Sequence, residues 1–351
     1  MGRFISFVLT GLLIIGLTGC GNKTEQEKPE EPVSMTCDRK CLEGFVNKYL
    51  EAMIAHDTSK APFAGNARYT ENAKEISLSG ISTGLWTKAT GLTDYKFYIA
   101  DPEAGQVAYV GLIRTKDNED KPVLLSVRLK VEDKKITEAE AIAVDSMMGG
   151  KEGAMAVPPA AFSQVLLPED RVSREELIKI SNLYFDSIEL SNSKIVPWHD
   201  ECYRLENGMW TAGTKLPSEL AAHVKAPPAP EQGQEGETSI AFARGACTEA
   251  IDSGVFALIE SINPRRTPVV DVARGVTWGV YMFNHPGVET ITMPDGTTQQ
   301  AAYFRGQPNS MPMAELFKIK NGKIRDIMAI GVVNEYKSGS GWEKNDPAQT
   351  E

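Results

Sequence analysis

Tyr69-Thr70-Glu71-Asn72, with Asp101-Pro102-Glu103-Ala104-Gly105 further on, is a stretch the chain writes twice. The second copy is Tyr203-Arg204-Leu205-Glu206-Asn207, with Asp271-Val272-Ala273-Arg274-Gly275 after it. Tyr184 matches Tyr49, and Glu206-Asn207 matches Glu71-Asn72, both at an offset of 135. Asp271 and Gly275 match Asp101 and Gly105 at 170. Leu129-Lys130-Val131 matches Phe317-Lys318-Ile319 at 188, and Ala141-Ile142-Ala143-Val144 matches Ala329-Ile330-Gly331-Val332 at the same 188. Offsets that hold within segments and jump between them are what a duplicated domain leaves behind. The extra length of the second copy falls in 211–246, rich in Pro, Gly and Glu, and includes 284–298, which reads as a hairpin extension.

Each copy opens on a helical pattern. Leu42, Phe45, Val46, Tyr49, Leu50, Met53 and Ile54 recur at helical spacing, which predicts a helix over 37–56 with Asp38 as N-cap. Ser173-Arg174-Glu175-Glu176 is a capping box ahead of the stripe Leu177, Ile180, Tyr184 and Ile188. In the first copy a hairpin is expected over 66–79 and a short helix over 84–92. Strands follow at 95–100, 106–115, 123–131 and 136–144, with turn residues between them. This order gives an α+β layout rather than alternating βαβ units. The expected domains are 37–145 and 173–335, with a linker over 146–172 and a C-terminal tail over 336–351.

The first nineteen residues read as a leader. Arg3 is followed by an apolar run, and Leu17-Thr18-Gly19-Cys20 resembles a bacterial lipobox, with lipid expected on Cys20. Residues 20–36 have almost nothing to bury and read as a disordered tether of on the order of 20–25 Å. The expected location is the bacterial cell envelope, lipid-anchored, at the outer membrane facing the periplasm. Apolar content of 42% and charged content of 24% fit a globular domain. The net charge of −10 gives no grip on DNA or RNA, so nucleic acid is excluded as a partner. Cys37, Cys41, Cys202 and Cys247 remain beside Cys20. In an exported chain they suggest two disulfides, with three connectivities open; Cys37–Cys41 and Cys202–Cys247 keep each bridge within one copy. Neither cysteines nor histidines show metal-ligand spacing, so no metal and no cofactor is expected.

The long first helix, hairpin, short helix and final meander resemble the NTF2-like (SnoaL-like) α+β cone. The duplicated form is similar to an uncharacterised group of secreted fungal and bacterial proteins. Tyr69-Thr70-Glu71-Asn72, the stretch from Pro197-Trp198 to Cys202-Tyr203-Arg204-Leu205-Glu206, and Cys247 carry that resemblance over about 37–335. It implies two tandem cones, each a curved antiparallel sheet with helices on one face and a pocket between. It implies no catalytic motif, because the superfamily shares none.

Comparing the copies locates candidate chemistry. Phe63-Ala64-Gly65 stands opposite Trp198-His199-Asp200, and Val127 stands opposite Glu315. A carboxylate on an apolar strand face costs free energy unless it is paired, exposed or used, and burial suits it to proton transfer near neutral pH. The resulting expectation is an isomerase, lyase or dehydratase acting on a small apolar organic molecule. His199 is the expected base, Asp200 its orienting partner and Glu315 the acid. Tyr281 or Arg305 would steady an oxyanion, Trp198 and Trp278 would form walls, and Tyr203 joins the binding residues. The competing readings are a polar loop for His199-Asp200, an ion pair with Arg274 or Arg305 for Glu315, and a core role for the aromatics. Glu71 and Glu206, repeated with their Asn neighbours, suggest a structural role. Gly80-Ile81-Ser82-Thr83-Gly84 fits G-x-S-x-G, but a nucleophile elbow needs a parallel sheet that this order does not offer. The alternative function is a non-catalytic binding or scaffold lipoprotein. Expected partners are the small ligand, the bilayer through Cys20 and a second copy of the chain.

Overall fold

The computed structural model of the chain describes residues 37–145, 155–224, 245–301 and 303–342. The leader, Cys20 and the tether lie outside them. Among the described residues, no helix is long and apolar enough to cross a membrane.

Helix α1 (Arg39–Ile54) is capped by Asp38, whose side chain accepts from the Cys41 N–H. Strands β1 (Phe63–Glu71), β2 (Lys74–Glu75), β3 (Ala89–Asp101), β4 (Gln106–Thr115), β5 (Asn118–Glu132) and β6 (Lys135–Val144) follow. The second half repeats the series. It has α2 (Arg174–Glu189), β7 (Trp198–Glu206), β8 (Met209–Ala212), α3 (Ser218–Ala221), α4 (Cys247–Asp252), β9 (Ser261–Asp271) and β10 (Val276–His285). A hairpin of β11 (Thr290–Thr292) and β12 (Thr298–Gln300) precedes β13 (Asn309–Lys320), β14 (Lys323–Gly331) and β15 (Asn334–Glu335). The helix expected over 84–92 is a single 3₁₀ turn, Leu85–Thr87, after which the chain extends into β3 from Ala89. Ser82 stands exposed in the loop before that turn, where no elbow forms.

The two large sheets are curved and unclosed, with matching strand orders: β2-β1-β6-β5-β4-β3 and β8-β7-β14-β13-β10-β9. Register agrees too. Glu71 lies beside Ala141 and Val127 beside Ala141; Glu206 lies beside Ala329 and Glu315 beside Ala329. One expectation is corrected: β1 pairs β6, and β7 pairs β14, in parallel. The intervening strands supply the long crossover a parallel pair requires. Breaks in register within β3 and β9, at bulges, allow the sheets to curve.

Alternation along the strands divides the core. In β13, Met313, Phe317 and Ile319 face α2, while Ala314 and Leu316 face the other sheet. The layer between the sheets holds Phe97, Ile99, Val110, Val276, Trp278 and Leu316. The repeated Asp-to-Gly stretches lie at its border. Asp101 and Asp271 each cap their own turn, accepting from Ala104 N and Arg274 N at 3.1 Å. Gly105 (φ 62°) and Gly275 (φ 60°) close those turns, where a Cβ would meet the Val131 and Ile319 carbonyls. Each aspartate also reaches the other half. Arg174 at the start of α2 donates to Asp101 at 3.0 Å, and Arg39 at the start of α1 donates to Asp271 at 2.7 Å. This exchange of equivalent contacts is how a twofold interface is built.

Both expected disulfides form, Cys37–Cys41 and Cys202–Cys247. The tail expected from 336 is packed as far as Trp342, which is 2% exposed and donates to Thr70 Oγ1 at 2.9 Å. Its ring lies under the guanidinium groups of Arg68 at 4.4 Å and Arg128 at 5.0 Å, and so ties the end of the second half to the first.

Candidate functional site

The halves differ on their helix-facing sides. In the first, the 3₁₀ turn drives Trp86 into the sheet, where it is fully buried and packs edge-on to Tyr49 at 5.2 Å. Its Nε1 donates to the Tyr49 hydroxyl at 3.3 Å. Glu71 holds the turn in place, accepting from Leu85 N at 2.9 Å and from the Tyr69 hydroxyl at 2.6 Å. Val127 lies beneath and is fully buried. The first half fills the space between its helix and its sheet with these side chains.

In the second half the corresponding positions are Phe256 for Trp86, Arg204 for Tyr69, Glu206 for Glu71 and Glu315 for Val127. Phe256 is partly exposed and leaves the space open. A cavity of about 990 Å³ results, with Phe256, Phe283, Phe304, Met311 and Met313 as apolar walls. Glu71, Lys74 and Ile76 of the first half complete its rim. A smaller void of about 20 Å³ is bordered by Tyr184, Arg204, Thr211 and Phe256, with room for about one water.

Arg204 borders both spaces and organises the polar groups. Nη1 donates to Glu206, at very short range, and to Thr211 Oγ1 at 3.1 Å. Nη2 lies 3.6 Å from Glu315 Oε1. Glu315 is fully buried, and neither of its oxygens has a hydrogen-bond partner among the described residues. Desolvation pushes its pKa up to about 7, against the pull of Arg204 and with a further push from Glu206. Tyr281 stands close by, its hydroxyl 2.9 Å from Thr267 Oγ1 and its ring 4.0 Å from that of Phe185. Desolvation raises the Tyr184 and Tyr281 phenols, so both stay neutral. His285, on the cavity wall against Phe304, is pushed down to about 4 by burial and stays neutral too. Among the described residues no cluster could hold a metal ion.

This gives a pH signature. The folded-state pKa of Glu315, near 7, lies above its ordinary value of 4.5, so the native state holds this proton more tightly than the unfolded chain. The stability involved is present below about pH 4.5 and lost as pH rises through 7. Glu315→Gln should therefore exceed the parent by on the order of 3 kcal/mol at pH 8, and the two should converge near pH 4.5. Urea denaturation of both proteins at the two pH values checks this; a difference independent of pH would contradict it.

A family model for a domain of unknown function, DUF8021, matches residues 36–143 and 170–331. The chain belongs to this family. The two DUF8021 segments coincide with the two halves, the first covering α1 to β6 and the second α2 to β14. The comparison with curated proteins returns no match.

Of the residues expected at a site, the DUF8021 fold brings Glu315 and Tyr281 together and places the others elsewhere. His199 lies near the start of β7, next to Trp198, which pairs with Ile324 of β14, whereas Glu315 is level with Ala329, five residues further along that strand. At 3.3 Å per residue the separation is roughly 16 Å. The His199 ring accepts from Glu201 N at 3.1 Å, and Asp200 is exposed. Trp198 donates to Ser193 O at 2.9 Å and packs against Tyr184 as core. Trp278 points to the opposite face, into the layer between the sheets, and donates to Ser126 Oγ at 2.8 Å. Tyr203 is buried in that same layer. Arg305 is exposed and bound to Gln300. Arg204 and Glu206 were missed as site residues. The signal for them was the exchange of Tyr69 for Arg204 at the offset of 135. The paired asparagines do have a structural role, since Asn72 bridges Ala143 and Asn207 bridges Gly331, each by N–H and C=O.

Proposed function

We propose that the second half binds a small organic molecule with an apolar body and moves a proton on it, as an acid–base isomerase or lyase does. One observation carries this reading. A fully buried carboxyl that accepts no hydrogen bond among the described residues sits behind an arginine that lines a large cavity with apolar walls, and the first half has valine at that position. A carboxyl with a pKa near 7 can give or take a proton at neutral pH. Arg204 would support negative charge developing on the ligand. Cavities of this size and lining are those that take up small molecules. The NTF2-like resemblance points the same way, since cones of that superfamily house pockets at this place. The lipobox at Leu17–Cys20 supports an envelope lipoprotein; Cys20→Ser would then shift the protein from the membrane to the soluble fraction, and unchanged partition would refute the anchor.

A second reading, binding without turnover, is favoured by one detail. Arg204 and Glu206 line the cavity, while Glu315 stands behind them. Incubating the purified protein with a metabolite extract and identifying retained molecules by native mass spectrometry tests the pocket. Following a retained molecule over time in the parent and in Glu315→Gln tests the chemistry. Conversion by the parent that falls about 10²–10⁴-fold in the variant supports catalysis. Retention without conversion supports binding alone, and no retention refutes both.

A further inference from the structure

Resting on that reading of the cavity, the charge balance of its lining selects among ligands. The ionisable lining groups are Glu71, Glu75, Asp145 and Glu206 against Lys74 and Arg204, with His285 held neutral by burial. Several of these are already committed. Glu71 is bound to Leu85 N and Tyr69, and Glu75 accepts from Arg68 at 2.8 Å. At the inner end, one guanidinium is shared by two carboxyl groups, Glu206 and Glu315. Arg204 already donates to Glu206 and Thr211, and it touches Glu315 only at 3.6 Å, beyond hydrogen-bond range. Both Glu315 oxygens are thus acceptors without a donor among the described residues. Glu315 lies on the same face of β13 as Met311 and Met313, which line the cavity, but is itself fully buried, and it is Glu206 that the cavity meets.

An anionic headgroup entering here would meet Glu206 and would have to draw Arg204 away from the pairing it has. A neutral headgroup would leave the excess of Glu71, Glu75, Asp145 and Glu206 over Lys74 and Arg204 in the lining uncompensated. A protonated amine brings one positive charge and up to three donors, which offset that excess and can pair with Glu206 at the lining. The aromatic and methionine walls suit an apolar body, and aromatic faces tolerate a cation near them.

We propose that the ligand of the second cone is an apolar molecule carrying a single protonated amine, which pairs with Glu206 beside Arg204. Three probes sharing one aromatic body test this: naphthylmethylamine, naphthylmethanol and naphthoate, each titrated calorimetrically into the full chain at neutral pH. The amine is expected to bind about ten-fold or more tightly than the alcohol, the scale of a charge-assisted hydrogen bond, with the carboxylate weakest. Added salt should narrow the gap between amine and alcohol, a readout that needs no variant. In Glu206→Gln the ratio of amine to alcohol affinity should collapse toward one. Equal binding of all three probes would overturn the amine proposal while leaving the pocket intact. Tightest binding by the carboxylate would overturn it too. Binding of none would remove the pocket reading along with it.

Discussion

Glu140→Gln should lower the stability of the folded chain by about 3–5 kcal/mol, the range for removing one partner of a buried ion pair. Glu140 is 2% exposed and lies between the sheets. Its Oε2 accepts from Arg128 Nε at 3.0 Å and from Arg266 Nη1 at 3.2 Å, and its Oε1 takes a very short contact from Arg266 Nη2. Arg128 belongs to the first half and Arg266 to the second, so this one carboxylate fastens the two sheets together. Glutamine keeps the shape but removes the charge, and two buried guanidinium groups stay behind. Glu138 balances Arg128 in part, at 2.8 Å, which places the effect within that range rather than above it. Urea denaturation at neutral pH measures the loss; a change under about 1 kcal/mol would refute the account. A second variant separates charge from packing. Glu140→Met combined with Arg266→Met removes both charges and should recover much of the deficit, as apolar replacements of buried pairs do.

This network shows where sequence ran out. Glu140, Arg128 and Arg266 correspond to Met328, Leu316 and Lys96 in the other copy, so repeat comparison offers no matching set of charges. A charged residue on a strand face is solvated or buried according to what lies opposite, and that is decided by a sheet far away in sequence. The repeat itself was legible because register is local and periodic. Equal offsets at Glu71 and Glu206, and at Val127 and Glu315, translate directly into the same neighbours across Ala141 and Ala329.

The candidate site was half legible for the same reason. Glu315 announced itself by replacing a valine on an apolar face. Trp278 and Tyr281 were harder to tell apart, since β10 is buried on both faces and its pattern does not alternate. Only the fold shows that Trp278 meets Ser126 of the other sheet while Tyr281 meets Phe185 of α2. His199-Asp200 attracted attention as an ionisable exchange, but it lies at the wrong end of β7. Along the same strand the informative exchange was Tyr69 to Arg204, which converts a hydroxyl that serves Glu71 into a guanidinium that joins two carboxyls.

Replacing Cys202 and Cys247 together by alanine should cost about 4 kcal/mol in the chain-entropy account of a loop this long. The bridge spans a sequence separation of 45 and joins β7 to α4. Both cysteines are buried, so alanine leaves no polar group to desolvate. The same substitution at Cys37 and Cys41, separated by 4, should cost about half as much, because the loop it closes is short. The larger effect has a local consequence. Cys247, Ala250 and Ile251 of α4 border the small void beside Arg204, and Phe256, four residues after α4, borders both spaces. Phe256 stands where the first half has Trp86, so the bridge fixes one wall of the cavity. Denaturation of the Cys202→Ala/Cys247→Ala protein should show the loss of stability. Titration with naphthylmethanol, the uncharged probe, should show weakened binding while the protein remains folded. Binding that survives unchanged in a destabilised variant would mean that α4 is held over the cavity by its packing on β7 alone.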